Sequence, residues 1–189
     1  MGVVLEGGQE LEVRTAAPED AEEVLGYIER VSGESSFLTF GPGELEMTVE
    51  QEADFFRAGQ GSPNRTYILG FIGDELVATA NVMASPRPRL RHRGELGMSV
   101  SRAFWGRGIG AAMLDHLVEW ARESPMLIKL DLRVRADNTR AIPLYRGRGF
   151  VEEGVLRKQF CVQGELHDLI AMGMEVSETN GGSSGRMAK

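Results

Sequence analysis

Between Leu96 and Leu114 the chain reads LGMSVSRAFWGRGIGAAML. A β-type run enters a loop with alternate glycines, Gly106, Gly108 and Gly110, and passes straight into an amphipathic helix. Backbone amides with no Cβ in the way, gathered at a helix N-terminus, make a site for phosphate or pyrophosphate. The fold must therefore bring a strand end and a helix start together around a phosphate-bearing ligand.

Hydrophobic periodicity gives the order of the other elements. Leu11–Thr15 alternates as a strand, and Pro18 to Val31 carries Ala21, Val24, Leu25, Ile28 and Val31 at helical spacing. Residues 32–47 form a long loop with Gly-Pro-Gly and two phenylalanines, and loops of that length are often functional. Thr48 caps a helix ending near Gly59. Thr66–Ile72 and Glu75–Met83 flank the hairpin signal Gly73-Asp74. After the exposed connection SPRPRLRHRG, Glu95–Val100 resumes strand character and Ile109 to Arg122 is helical. Leu127–Val134 is an apolar strand and Asn138 to Arg148 a short helix. Val155–Val162 and Leu166–Met174 close the chain as a hairpin around Gln163-Gly164-Glu165.

One strand–helix–strand crossover among hairpins predicts an α/β fold, a mixed sheet with helices on both faces. The 189 residues fit one domain, over residues 11–175. Residues 1–10 are expected as a flexible extension, and the Gly/Ser-rich residues 176–189 as a disordered tail.

Two phosphate ligands compete for the glycine loop. Gly106-x-Gly108-x-x-Ala111 fits the dinucleotide pattern, with Asp131 downstream for a ribose contact. In that fold, however, the strand feeds directly into the first glycine, whereas Ser101 to Trp105 intervene here. Asp131 also sits within the apolar strand rather than at its C-terminal end.

The stretch Trp105-Gly106-Arg107-Gly108-Ile109-Gly110 resembles the acetyl-CoA signature of the GNAT superfamily of N-acetyltransferases: a strand, then Q/R-x-x-G-x-G/A, then a helix. Gly108 and Gly110 match, and Trp105 stands where Gln or Arg is usual. Asn138-x-x-Ala141-x-x-Leu144-Tyr145-x-x-x-Gly149-Phe150 resembles the family's next block, at the expected distance. The resemblance covers residues 11–175 and implies a mixed, mostly antiparallel sheet of about seven strands. It implies acetyl-CoA as co-substrate and a primary amine of a small molecule or peptide as acceptor. By the same resemblance, the amides of Gly106, Arg107, Gly108, Ile109, Gly110 and Ala111 take the pyrophosphate. Of Arg102, Arg107 and Arg140, Arg107 is the first candidate to neutralise phosphate charge, the alternative being a solvated side chain. Backbone groups of Met98, Ser99 and Val100 take the pantetheine arm and polarise the acetyl carbonyl. Asn138 bonds that arm or caps its helix, and Tyr145 protonates the departing thiolate. Dimers are frequent in the family, which leaves a homodimer open.

The acceptor amine must lose a proton before it attacks. Glu95 is the candidate base, at a strand position where several family members carry a glutamate. It shares a strand face with Gly97 and Ser99, and burial would raise its pKa toward a useful value. The alternative is a strand-end carboxylate paired with Arg93 or Arg91. Arg133 occupies a second position where some relatives place a glutamate. Phe37, Phe40 and the following acidic residues are the expected acceptor-side wall.

Composition narrows the rest. Cys161, the lone cysteine, lies outside both blocks, so transfer is expected to be direct, without a covalent intermediate. His92, His116 and His167 lack metal-ligand spacing, so no metal is expected. A net charge of −7 argues against nucleic-acid binding. No apolar run is long enough for a membrane span, and the N-terminus does not read as a signal peptide, so a cytoplasmic protein is expected. Glu44, Glu46, Glu50, Glu52 and Asp54 form an acidic cluster that would draw a cationic acceptor. The rival to an enzyme is a CoA-binding sensor or interaction module that keeps the fold without transfer.

Overall fold

The computed structural model describes residues 2–5 and 7–177. Its strands are β1 (Gly2–Val4), β2 (Glu10–Thr15), β3 (Arg65–Ile72), β4 (Glu75–Ala84), β5 (Arg93–Val100), β6 (Lys129–Arg135), β7 (Val151–Val162) and β8 (Glu165–Glu175). The helices are α1 (Ala21–Glu34), α2 (Val49–Gly59), α3 (Ile109–Glu123) and α4 (Ala141–Arg146). All eight strands join one sheet in the order β1-β2-β3-β4-β5-β6-β8-β7. Only β5 and β6 run parallel, joined through α3. This is the expected α/β architecture with one strand more than the seven expected.

The additional strand corrects the reading of residues 1–10 as a flexible extension. Gly2–Val4 pairs antiparallel with Glu10–Glu12. Gly7 and Gly8, at φ +104° and +81°, reverse the chain, and Leu5 is buried in the main core. At the other end Val176 is buried and its N–H bonds the Ile128 carbonyl at 2.9 Å, so the ordered chain reaches into the segment expected as a tail. The rest of that segment, residues 178–189, lies outside the described residues.

Helices cover both faces because apolar residues alternate along the strands. Ile109, Met113, Leu114 and Leu117 of α3 are fully buried on one face with Leu11, Val82 and Leu130. On the other face Tyr27 of α1 and Phe56 of α2 pack with Leu69, Phe71 and Leu76. The start of α2 is a reciprocal cap. Thr48 Oγ1 accepts from the Gln51 N–H at 3.2 Å, and Gln51 Oε1 accepts from the Thr48 N–H at 2.9 Å. The short helix expected over residues 138–148 contracts to Ala141–Arg146, since Asn138 caps it and Gly149, at φ +93°, turns the chain out. The β7–β8 turn has Gln163 and Gly164 both at positive φ, the two-residue hairpin geometry that suits twisted strands.

One irregularity positions the site. β4 pairs with β5 from Ala84↔Gly94 to Ala78↔Val100, and β6 pairs with β8 from Lys129↔Glu175 to Arg135↔Leu169. Between β5 and β6 only Arg93↔Lys129, Gly94↔Leu130 and Glu95↔Asp131 are paired. Past that rung the two strands separate, and the sheet opens toward their carboxyl ends. In open α/β sheets that is where ligands bind.

Candidate active site

Residues 96–100 of β5 keep their bonds to β4 and face an opening where β6 would be. Their outward backbone groups are therefore available to an extended ligand bearing amides. Met98 and Val100 turn their side chains to the α3 face, packed on the main core. Ser99 points the other way: its hydroxyl lies 3.1 Å from Tyr27 Oη and 3.0 Å from Thr79 Oγ1, tying β5 to α1 and β4. Burial pushes the Tyr27 phenol up to about 12, so it stays a neutral hydrogen-bonding group.

The loop after β5 is braced from within. Trp105 folds back, and its indole N–H donates to the Val100 carbonyl at 2.7 Å. That bond occupies the Val100 carbonyl, and Ser99, in phase with Ser101 whose N–H bonds the Val77 carbonyl, turns its backbone groups to β4 rather than to the opening as expected, so Met98 supplies the free carbonyl among the three strand residues. The Arg140 guanidinium stacks over the Trp105 ring at 4.3 Å, linking the loop to the start of α4. Glu34, the last residue of α1, accepts from the Arg102 N–H at 2.7 Å.

Gly106 and Gly108 adopt φ of +78° and +82°, where a side chain would be strained. Space around both is open, with nothing within 4 Å of an added Cβ. Gly108 begins α3 with no side-chain cap, so the first-turn amides of Ile109, Gly110 and Ala111 point outward without one. Gly110 is small for another reason: an added Cβ would lie 3.3 Å from Leu144 and 3.7 Å from Met98. The Arg107 guanidinium turns back to the Ala103 carbonyl and Gln9 Oε1, both at 3.1 Å, over the Phe104 ring. The open cradle, the uncapped helix start and the free strand edge suit a pyrophosphate with a pantetheine arm.

On the same side, α4 presents Tyr145. It is 8% exposed, packs edge-on against Phe150 at 5.8 Å, and its hydroxyl makes no hydrogen bond among the described residues. Burial pushes its pKa up to about 12. Asn138 Oδ1 caps α4 by accepting from the Ala141 N–H at 3.0 Å, which leaves its amide NH2 to donate elsewhere.

Glu95 departs from expectation. It is exposed rather than buried. Nor is it the ion pair that was the alternative. Arg93 pairs with Asp131 at 2.8 Å, and Lys129 bridges Asp131 and Glu153 at 2.8 and 2.6 Å. Glu95 sits free beside this network, on the last paired rung.

The opposite wall contains a residue that sequence reasoning missed. Arg135, at the end of β6, is 6% exposed. It donates to Asp137 Oδ1 and Oδ2 at 3.0 and 2.5 Å and to the Ser36 carbonyl at 2.8 Å, and lies 3.3 Å from His167 Nδ1. Phe37 and Phe160 stack on it at 4.7 and 5.5 Å. Phe37 is thus held in place by an arginine whose only local signal is Asp137 two positions on. The acidic cluster is largely engaged elsewhere. Glu44 accepts from the Gly41 N–H at 2.8 Å, Glu52 is buried, and Asp54 pairs with Arg57.

Comparisons with known proteins agree with this geometry. A family model described as the acetyltransferase (GNAT) family matches residues 34–150. The chain is 33% identical over 103 residues to the N-alpha-acetyltransferase RimI of Mycobacterium tuberculosis, a match covering 54% of this chain and 63% of that one. It spans between 61% and 68% of the length of the first curated relatives it matches. The crystal structure of a GNAT-family acetyltransferase from Streptococcus pneumoniae superposes with a TM-score of 0.85 at 31% identity, covering 87% of this chain and 99% of that one. The fold is also shared, at 16% identity and a TM-score of 0.78, with yncA from Salmonella typhimurium, a structure with its cofactor acetyl-CoA, over 90% of this chain and 96% of that one.

Proposed function

This chain belongs to the GNAT acetyltransferase family, and from that premise we propose that it is a cytoplasmic, acetyl-CoA-dependent N-acetyltransferase that acts directly on a primary amine of a small molecule or peptide. One observation carries the reading: β5 and β6 part immediately before a loop whose left-handed glycines open onto an uncapped helix start. The acetyl-CoA in the yncA structure supports the choice of donor.

Acetyl-CoA supplies the activated acetyl group. The amides of residues 106–111 hold the diphosphate, with the α3 dipole behind them. Outward backbone groups of Met98, the Val100 N–H and the Asn138 amide hold the arm. A β5 N–H at the acetyl carbonyl polarises it, a contribution of about 3 kcal/mol to an acyl-transfer barrier. Tyr145 keeps its proton at neutral pH because burial raises its pKa, and its unpartnered hydroxyl donates to the thiolate as it departs. Glu95, exposed at the edge of the acceptor half, passes the amine proton to water.

Thiol release from acetyl-CoA with a panel of amines tests the transfer. Turnover with at least one amine supports the reading. Tight acetyl-CoA binding with no turnover on any amine assigns the chain to a sensor role instead.

A further inference from the structure

Beyond the Glu95↔Asp131 rung, one face of β6 carries Arg133 and Arg135. Leu132 and Val134 turn into the core under α3, so strand alternation sends both arginines to the face where Ser36 and Phe37 lie. The two are held very differently. The donors of Arg135 are engaged by Asp137, Ser36 and His167, and its flat faces by Phe37 and Phe160. Arg133, about 6.6 Å back along the strand, is exposed and has no ion pair or hydrogen bond among the described residues.

The residues flanking Arg133 are small. Ala171 is its paired neighbour on β8, and Gly97 lies one pleat beyond the last rung on β5, in step with it. A free guanidinium therefore stands on the floor of the acceptor half, with little side-chain bulk on either side. Glu95, one rung back, is also unpaired, and the neighbouring cations Arg93 and Lys129 are both engaged by Asp131. An uncommitted cation and an uncommitted anion thus flank one opening, and neither is paired with the other.

We propose that the acceptor is a primary amine that also bears a carboxylate, of amino-acid size, and that Arg133 is the specificity-determining residue that binds the carboxylate. The planar fork of a guanidinium matches a carboxylate with two parallel N–H···O bonds. The ammonium group of such an acceptor then faces Glu95 and the β5 edge. This inference rests on the transfer reading and deepens it.

The test compares free α-amino acids, their carboxamides and short peptides, by thiol release from acetyl-CoA and by calorimetric binding with CoA present. The wild type is expected to favour free acids over matching amides. Arg133→Gln is expected to reduce that preference about tenfold or more. Arg87→Gln, in the β4–β5 connection, should retain it. A wild type indifferent to the carboxylate, or a preference that survives Arg133→Gln, overturns the proposal, and a preference only for peptides moves the carboxylate to a larger acceptor and overturns its stated size. Binding of free acids that depends on Arg133 without any thiol release upholds the anchor and overturns the transfer reading, so the two failures are distinguishable.

Discussion

The Arg135 guanidinium donates to both carboxylate oxygens of Asp137, at 3.0 and 2.5 Å, from a position that is 6% exposed. This fork sets the plane of the guanidinium. Its remaining donors then reach Ser36, and its faces meet Phe37 and Phe160. One buried cation thereby joins the end of β6, the loop after α1 and the β7–β8 hairpin.

Acid should loosen that junction. Arg135 holds the Asp137 carboxyl below its ordinary range, through the hydrogen bond first and charge attraction second. A carboxyl whose folded pKa is depressed contributes stability that is complete above the unfolded value and is lost as pH falls through the folded one. The loop over residues 35–48 should therefore lose hydrogen-exchange protection below about pH 4. Asp137→Asn should produce the same loss at neutral pH. Equal protection in both proteins would show that the loop is held without the fork.

Tyr145→Phe separates chemistry from structure. The hydroxyl makes no hydrogen bond among the described residues, while the ring packs on Phe150. Removing the oxygen should leave the melting temperature and acetyl-CoA affinity near wild type. Turnover should fall by about 10²- to 10⁴-fold, the range of a general acid. An unchanged rate of thiol release would hand the proton to water.

Local features were legible in the sequence and long-range ones were not. The glycine loop could be read because Gly106 and Gly108 satisfy a local need, positive φ before a helix start. Thr48 with Gln51, and Asn138 with Ala141, are likewise short-range caps. The separation of β5 from β6 has no such signature, since no residue pattern marks the rung at which two strands part. Arg135 was missed because its contact with Ser36 spans 99 positions. Alternation gave Glu95 its face but not its depth, and depth decides whether a carboxylate can be tuned. The β1 strand depended on Val3 and Leu5 reaching the main core, from an apolar run of three residues too short, beside Gly7 and Gly8, to read as a strand.

Glu52 offers a stability test away from the site. It is 4% exposed on α2, and desolvation raises its carboxyl pKa. A carboxyl raised in the folded state binds more protons folded than unfolded, so it costs stability as pH rises through the folded value. Glu52→Gln should then melt higher than wild type at neutral pH, and the difference should shrink in mild acid. A variant that melts lower at neutral pH would mean that the carboxylate is compensated in solution.

Gly108→Glu tests the cradle on which the cofactor assignment depends. The backbone there sits at φ +82°, so any side chain carries a strain of about 1–2 kcal/mol. The Cβ itself meets nothing within 4 Å, so no clash adds to that cost. The melting temperature should fall by several degrees without loss of the fold. The new carboxylate would lie at the uncapped start of α3, where the helix favours an anion and a diphosphate would otherwise bind. Acetyl-CoA affinity, measured by calorimetry, should fall below detection, whereas Gly108→Ala should carry the same strain and retain most of the binding. If the glutamate variant binds acetyl-CoA as tightly as the alanine one, the diphosphate does not bind at the start of α3.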